Sequence, residues 1–158
     1  ILSSRSHFIK ICSQLRNEKL VVDFNQGLDL RLLTEDLAKE LKTIRHKEYK
    51  FSWDLDDPSF PERLEFTYSI LGRCTIFVIC GFLPFSEILK KFEAIKKIGH
   101  NGYCMKHHKI KDDRKYMILG RWVNQHHIFQ KMTLAEFCKH EGYEDIENTA
   151  CINPHPML

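Results

Sequence analysis

Between Val21 and Arg31 a short apolar run gives way to Asp23, Asn25, Gln26, Asp29 and Arg31, and a helix start at Thr34 follows. A strand-to-helix loop needs only a turn residue and a cap. Five side chains that donate, accept or carry charge exceed that need and point to a ligand. The amides of Asn25 and Gln26 each present a donor and an acceptor, which suits a ribose hydroxyl or an adenine edge. Arg31 offers a planar fork for a carboxylate; alternatively it pairs with Asp29 or Asp54 and holds the loop. Open α/β sheets and β/α barrels bind their ligands at the carboxyl ends of strands. The other expected strand exits carry Trp53, Asp54, Asp56 and Asp57, then Cys80-Gly81-Phe82, then Lys106-His107-His108. Gly81 lets backbone approach a ligand closely, Trp53 or Phe82 offers an apolar platform, and His107 at a strand tip can touch a ligand.

Other clusters read more simply. Asp56-Asp57-Pro58 is a turn signal. Asp54, Asp56 and Asp57 could instead hold Mg²⁺ for phosphoryl transfer, although no phosphate loop accompanies them. The pairs His107-His108 and His126-His127 invite a metal reading, but helical neighbours point about 100° apart and strand neighbours face opposite sides. Six cysteines (Cys12, Cys74, Cys80, Cys104, Cys138, Cys151) show neither CxxC nor CxxxCxxC spacing. Buried thiols in a reducing cytosol are the expectation, ahead of a disulfide framework or zinc site.

The elements that must position these residues are strand-like runs alternating with helical patterns. Strands are expected at 20–24, 50–53, 74–79 and 103–106. The third, Cys-Thr-Ile-Phe-Val-Ile, lacks polar alternation and should be buried on both faces, as in parallel sheets. Thr34 before Glu35-Asp36 marks a helix start, with Leu37, Leu41 and Ile44 at helical spacing. Pro61 suits a first helical position, and Gly72 can end that helix. Phe85 or Ser86 opens a third helix that ends at Gly99, with Ile88, Leu89, Phe92, Ile95 and Ile98 on one face. A helix over 7–15 precedes the first strand, and one long helix is expected over 116–129, with Trp122 and Phe129 in the core. Strand starts 24 to 30 residues apart match βα units joined by right-handed crossovers. The fold class expected is α/β: an incomplete parallel (β/α) barrel of about four βα units with a preceding helix. All four strands should end along one rim. No linker divides the chain.

At 158 residues one domain can bury a sizeable core. The formal charge of +3 is too small to argue for nucleic acid. No apolar run approaches the roughly 20 residues of a membrane span, and the first residues lack signal-peptide anatomy. A cytoplasmic location without membrane contact is therefore expected.

Three segments together resemble a known family: Asp23 to Glu35 (DFNQGLDLRLLTE), Lys50 to Asp54 (KFSWD) and Gly120 to Phe129 (GRWVNQHHIF). They are similar to the later part of certain radical S-adenosylmethionine (radical SAM) proteins, mostly uncharacterised bacterial and phage-associated ones. The likeness runs over residues 1–138, and 139–158 would form a partly irregular C-terminal extension. It implies a partial β/α barrel with its site inside, at the strand carboxyl ends. In that family three thiolates of a CxxxCxxC loop hold a [4Fe–4S] cluster that binds S-adenosylmethionine, and a 5′-deoxyadenosyl radical abstracts hydrogen from substrate. The chemistry belongs to the cofactor; the protein supplies position and electrostatics. This chain lacks the CxxxCxxC loop. The resemblance therefore implies a piece that starts after the cluster loop and the first two barrel strands, inactive alone, while the intact enzyme carries the cluster. By the same resemblance Asn25, Gln26 and Arg31 would face cofactor or substrate, Trp53 and Asp54 would follow at the next strand tip, and Cys80, Gly81 and Met105 would line the adenine end. Substrate and reductant are not readable from the chain. The alternative is a non-catalytic small α/β module that binds an adenine-type ligand.

Overall fold

The structure is a computed structural model that describes residues 2–54 and 57–143. The chain divides into two units, Ile1–Ile76 and Phe77–Leu158. The boundary falls inside a strand rather than in a linker.

The first unit runs α1 (Arg5–Asn17), β1 (Val21–Val22), β2 (Leu28–Asp29), α2 (Glu35–Leu41), β3 (Arg45–His46), β4 (Lys50–Ser52) and α3 (Phe60–Leu71). It then enters β5 (Thr75–Cys80). Helix α2 begins where Glu35 and Asp36 meet the exposed amides of its first turn. The Thr34 hydroxyl donates to Asp36, and Arg5 on α1 reaches the same carboxylate at 2.6 Å. Leu37, Ala38 and Leu41 form the buried stripe of α2. Pro61 sits in the first turn of α3, whose buried face is Phe60, Leu64 and Thr67.

Two strand pairs in this unit are parallel. β1 pairs with β3 in the register Val21↔Arg45 and Val22↔His46. β2 pairs with β4 in the register Leu28↔Phe51 and Asp29↔Ser52. The expected first strand over 20–24 is thus shorter, and a second strand emerges inside the polar segment. The Gly27 amide donates to the Phe24 carbonyl at 2.9 Å, with Gly27 at φ +71°. That turn breaks the extended run and starts β2.

The second unit completes β5 and adds α4 (Phe85–Ile98), β6 (Asn101–Lys106), α5 (Arg114–Val123), α6 (His126–Lys131) and α7 (Leu134–Glu141). Thr75 at the start of β5 donates to the Tyr49 carbonyl, one residue ahead of β4, at 2.9 Å. His107, one residue past β6, donates to the Cys80 carbonyl at the end of β5 at 3.1 Å. Neighbouring strands that start or finish together run parallel. The ladder order is β2-β4-β5-β6. The fold class is α/β with parallel sheets, and among the described residues they do not close into a barrel.

Burial along β5 alternates, against the expectation of two covered faces. Ile76, Val78 and Cys80 are buried, whereas Phe77 and Ile79 are half-buried. β6 repeats the pattern, with Gly102 and Cys104 buried and Tyr103 and Met105 exposed. Helices α4, α5 and α6 pack against β6. The approach is close at Gly102, where a Cβ would lie 2.8 Å from Val123 Cγ1 and 3.0 Å from Phe92 Cδ1.

The long helix expected over 116–129 is two helices, interrupted at Asn124 and Gln125. The interruption has a hydrogen-bonding cause. β6 ends the ladder, and its alternate backbone groups point away from β5. Asn124 Oδ1 accepts from the Cys104 amide at 2.7 Å, and Gln130 Nε2 donates to the His100 carbonyl at 2.6 Å. Trp122 and Phe129 do lie in the core, edge to face at 4.9 Å. Among the described residues no helix is long and apolar enough to cross a membrane.

Asn124→Ala should cost about 1–3 kcal/mol, because it strands the Cys104 amide. Asn124→Asp, which keeps the acceptor, should cost less. Urea denaturation of the two variants measures the difference, and equal losses would show that the amide has another partner.

Candidate functional site

In the first unit a cavity of about 560 Å³ is lined by Leu2, Ser3, Leu32 and the continuous segment Asp23–Asp29. The polar loop singled out in the sequence therefore builds a concave surface. Asn25 and Gln26 are exposed in it, and Leu28 forms its buried side. A volume between roughly 300 and 1,000 Å³, apolar with a few polar groups, is usual for small-molecule sites.

The charges beside this cavity are largely neutralised within the unit. Asp23 accepts from Lys50 Nζ at 2.8 Å and from Lys47 Nζ at 3.4 Å. The same Lys50 ammonium reaches Asn25 Oδ1 at 3.1 Å. The Lys50 hydrogen bond, aided by Lys47, holds the Asp23 carboxyl below its ordinary range. Arg31 forks onto Asp29, with Nε to Oδ1 at 2.9 Å and NH2 to Oδ2 at 2.6 Å. The Arg31 amide also donates to Asp29 Oδ1 at 3.0 Å. These contacts lower the Asp29 pKa, the Arg31 side chain most of all. Arg31 thus takes the alternative open to it in the sequence: its fork is occupied by Asp29.

β2 divides the expected constellation. Asn25 and Gln26 precede it, whereas Arg31 follows it in a 3-10 turn over Leu30–Leu32. At the exit of β4, Trp53 is buried and stacked on Phe60 with ring centroids 4.5 Å apart. Its apolar surface serves the core. Asp54 is exposed. Asp57 accepts from the Ser59 amide at 2.9 Å and hydroxyl at 2.7 Å, which agrees with its turn reading. Asp56 lies outside the described residues. Arg63 completes this group by donating to the Arg31 carbonyl at 3.0 Å.

The remaining site residues belong to the second unit. Cys80 is buried, with Sγ 3.3 Å from Cys104 Sγ. Gly81 has φ +111°, and a Cβ there would meet Ile110 Cγ1 at 3.0 Å and His107 Cβ at 3.3 Å. Its glycine is thus required by backbone conformation and by Ile110 packing. His107 packs on Phe82 at 4.7 Å and accepts from the Lys109 amide through Nδ1 at 3.4 Å. Met105 is 42% exposed on the same strand as Tyr103, which meets Phe77 at 5.1 Å. Cys80, Gly81 and His107 meet at the ends of β5 and β6, and Met105 stands one step back.

Lys50 is the contributor that sequence reasoning missed. Its signal was present: a lysine opening the strand after an acidic loop, with Lys47 three residues earlier.

The described residues do not fit a [4Fe–4S] cluster. Cys12 and Cys138 lie on α1 and α7, and no group of three His, Cys, Asp or Glu side chains comes together to hold a metal. The cavity sets the exposed Gln26 amide, the Asn25 amide held by Lys50, and Ser3 beside apolar Leu2, Phe24 and Leu32. No family model, curated protein or solved structure matches the chain.

Lys50→Met should raise the Asp23 pKa, and Lys47→Met should raise it less; carboxyl NMR titration reads both. Asp23 titrates below its unfolded value when folded, so its contribution is present above the ordinary carboxylate pKa and is lost as pH falls through the folded value. The stability gap between Lys50→Met and the parent should therefore shrink under acid. A gap that widens on acidification would refute the assignment.

Proposed function

We propose that this chain supplies part of the cofactor- and substrate-facing wall of a radical SAM enzyme. The observation that carries the reading is the cavity lined by Asp23–Asp29, because the same stretch bears the most specific part of the family resemblance. The parallel α/β fold agrees with a partial barrel, in which strand faces and carboxyl ends surround the ligand. On this reading Asn25 and Gln26 read polar edges of S-adenosylmethionine or substrate, and Phe24, Leu28 and Leu32 shield an apolar face. Asp23 and Asp29, fixed by Lys50 and Arg31, set the local field without adding net charge. In the second unit Met105 and Tyr103 present apolar surface beside the rim at Gly81 and His107. S-adenosylmethionine would supply the radical chemistry in the intact enzyme, with a cluster held by residues that this chain does not provide.

A second reading is a non-catalytic module for an adenine-type ligand. It is favoured by one fact: the cavity is built by the continuous segment Asp23–Asp29 with Leu2, Ser3 and Leu32 of the same unit.

Amide NMR of the 158-residue chain, titrated with S-adenosylmethionine and separately with adenosine, tests both. Ligand should shift amides within 23–29, and the double variant Asn25→Ala, Gln26→Ala should weaken binding about tenfold, or ~1.4 kcal/mol. Preference for S-adenosylmethionine over adenosine supports the enzyme wall; equal affinity supports the module. Shifts confined to other segments, or none, would refute this site. Anaerobic reconstitution with iron and sulfide should leave the chain without a stable cluster.

A further inference from the structure

Cys80 and Cys104 lie on neighbouring parallel strands, point to the same buried face, and bring their sulfurs to 3.3 Å. Neither Asn25, Gln26 nor any other residue of the proposed cavity involves them. We infer that Cys80 and Cys104 are a redox-active dithiol that a hydroperoxide converts to a reversible disulfide across β5 and β6.

Three observations carry this. First, the sulfurs already touch, so only a short closure separates them from a bond. Second, the contact is too close for a shared metal: two thiolates on one tetrahedral ion with bonds of about 2.3 Å stand about 3.8 Å apart. No third ligand joins them among the described residues. Third, the register makes any disulfide here labile. The Cys80 carbonyl accepts from the His107 amide, which sets Cys80 opposite Lys106 and leaves Cys104 on the diagonal. Diagonal neighbours on adjacent strands are farther apart than a relaxed disulfide prefers. Closure must therefore shear β6 along β5 against their shared hydrogen bonds, and strained disulfides are readily reduced.

The chemistry balances. One sulfur, as thiolate, attacks a peroxide oxygen; the O–O bond breaks, hydroxide leaves and takes a proton, and a sulfenic acid forms. The second sulfur then attacks the first, its proton departs with the sulfenic oxygen as water, and the S–S bond closes. Two thiols and one hydrogen peroxide give one disulfide and two waters. The Cys104 thiol and burial both raise the Cys80 pKa, so oxidation should accelerate as pH rises. Because Cys80 adjoins Gly81, on which Ile110 and His107 close in, and its carbonyl accepts from the His107 amide, closure should be felt at that rim.

The test treats the full chain with hydrogen peroxide, alkylates the remaining thiols, and maps peptides by mass spectrometry. A Cys80–Cys104 linked peptide, lost on treatment with dithiothreitol and accompanied by amide shifts at Gly81 and His107, is the expected result. Cys80→Ala and Cys104→Ala should each abolish the link and leave a dimedone-trappable sulfenic acid on the other cysteine. Overoxidation to sulfinic acid without the link, a link formed only in urea, or pairing with Cys12, Cys74 or Cys138 would each overturn the inference. The parent protein alone decides these outcomes, so a variant that fails to fold does not shield the idea.

Discussion

Strand β5 is the constraint to which the rest answers. Its residues are apolar or weakly polar, and no side chain in Thr-Ile-Phe-Val-Ile-Cys can satisfy a run of buried amides and carbonyls. Only strands on either side can do so, and parallel neighbours cannot be delivered by tight turns; each needs a crossover. The chain meets that demand with α3 between β4 and β5 and with α4 between β5 and β6. Gly102 then has to be glycine, because α4 and α5 bring Phe92 and Val123 onto β6 where a Cβ would stand.

The same rule about unsatisfied backbone explains the helical half of the second unit. A continuous helix over 116–129 would keep its own hydrogen bonds but leave the outward groups of β6 bare. Asn124 leaves the helix to accept from Cys104, and Gln130 returns on α6 to cover His100. Local propensity favoured one helix; edge satisfaction favoured two. The edge prevails because a buried orphan amide costs more than a helix end that can be capped.

Legibility in the sequence follows from element length. β5, α2, α3 and α4 are long enough to show period or apolar continuity, and the expected Gly72 and Gly99 do end α3 and α4. β2 and β3, at two residues each, are too short for any periodicity. Missing β2 had a consequence for the site. The stretch 23–31 reads as one loop, whereas Leu28–Asp29 pairs with Phe51–Ser52 and separates Asn25 and Gln26 from Arg31. The polar crowding does coincide with a concave surface, since Asp23 to Asp29 line the cavity. Partner choice was not readable: Arg31 had Asp29 and Asp54 within reach in the sequence, and only folded geometry selects Asp29. Trp53 shows the converse, an aromatic at a strand exit whose ring turns to Phe60 instead of open space.

Neutralising Asp23 and Asp29 shapes the surface that the first unit presents. An acidic loop left bare would attract any cation and would repel a carboxylate. With Lys50 across Asp23 and Asn25, and Arg31 across Asp29, the ions become fixed dipoles, while the Gln26 amide remains the group with the least internal commitment. Such a surface discriminates by hydrogen-bond pattern more than by net charge. On the proposed reading, that would favour a neutral polar edge, such as an adenine or a ribose, over a bare phosphate. It also ties the loop to strand order: Lys50 bridges Asp23 and Asn25 from β4, which lies beside β2, so a change that displaced β4 would loosen the loop.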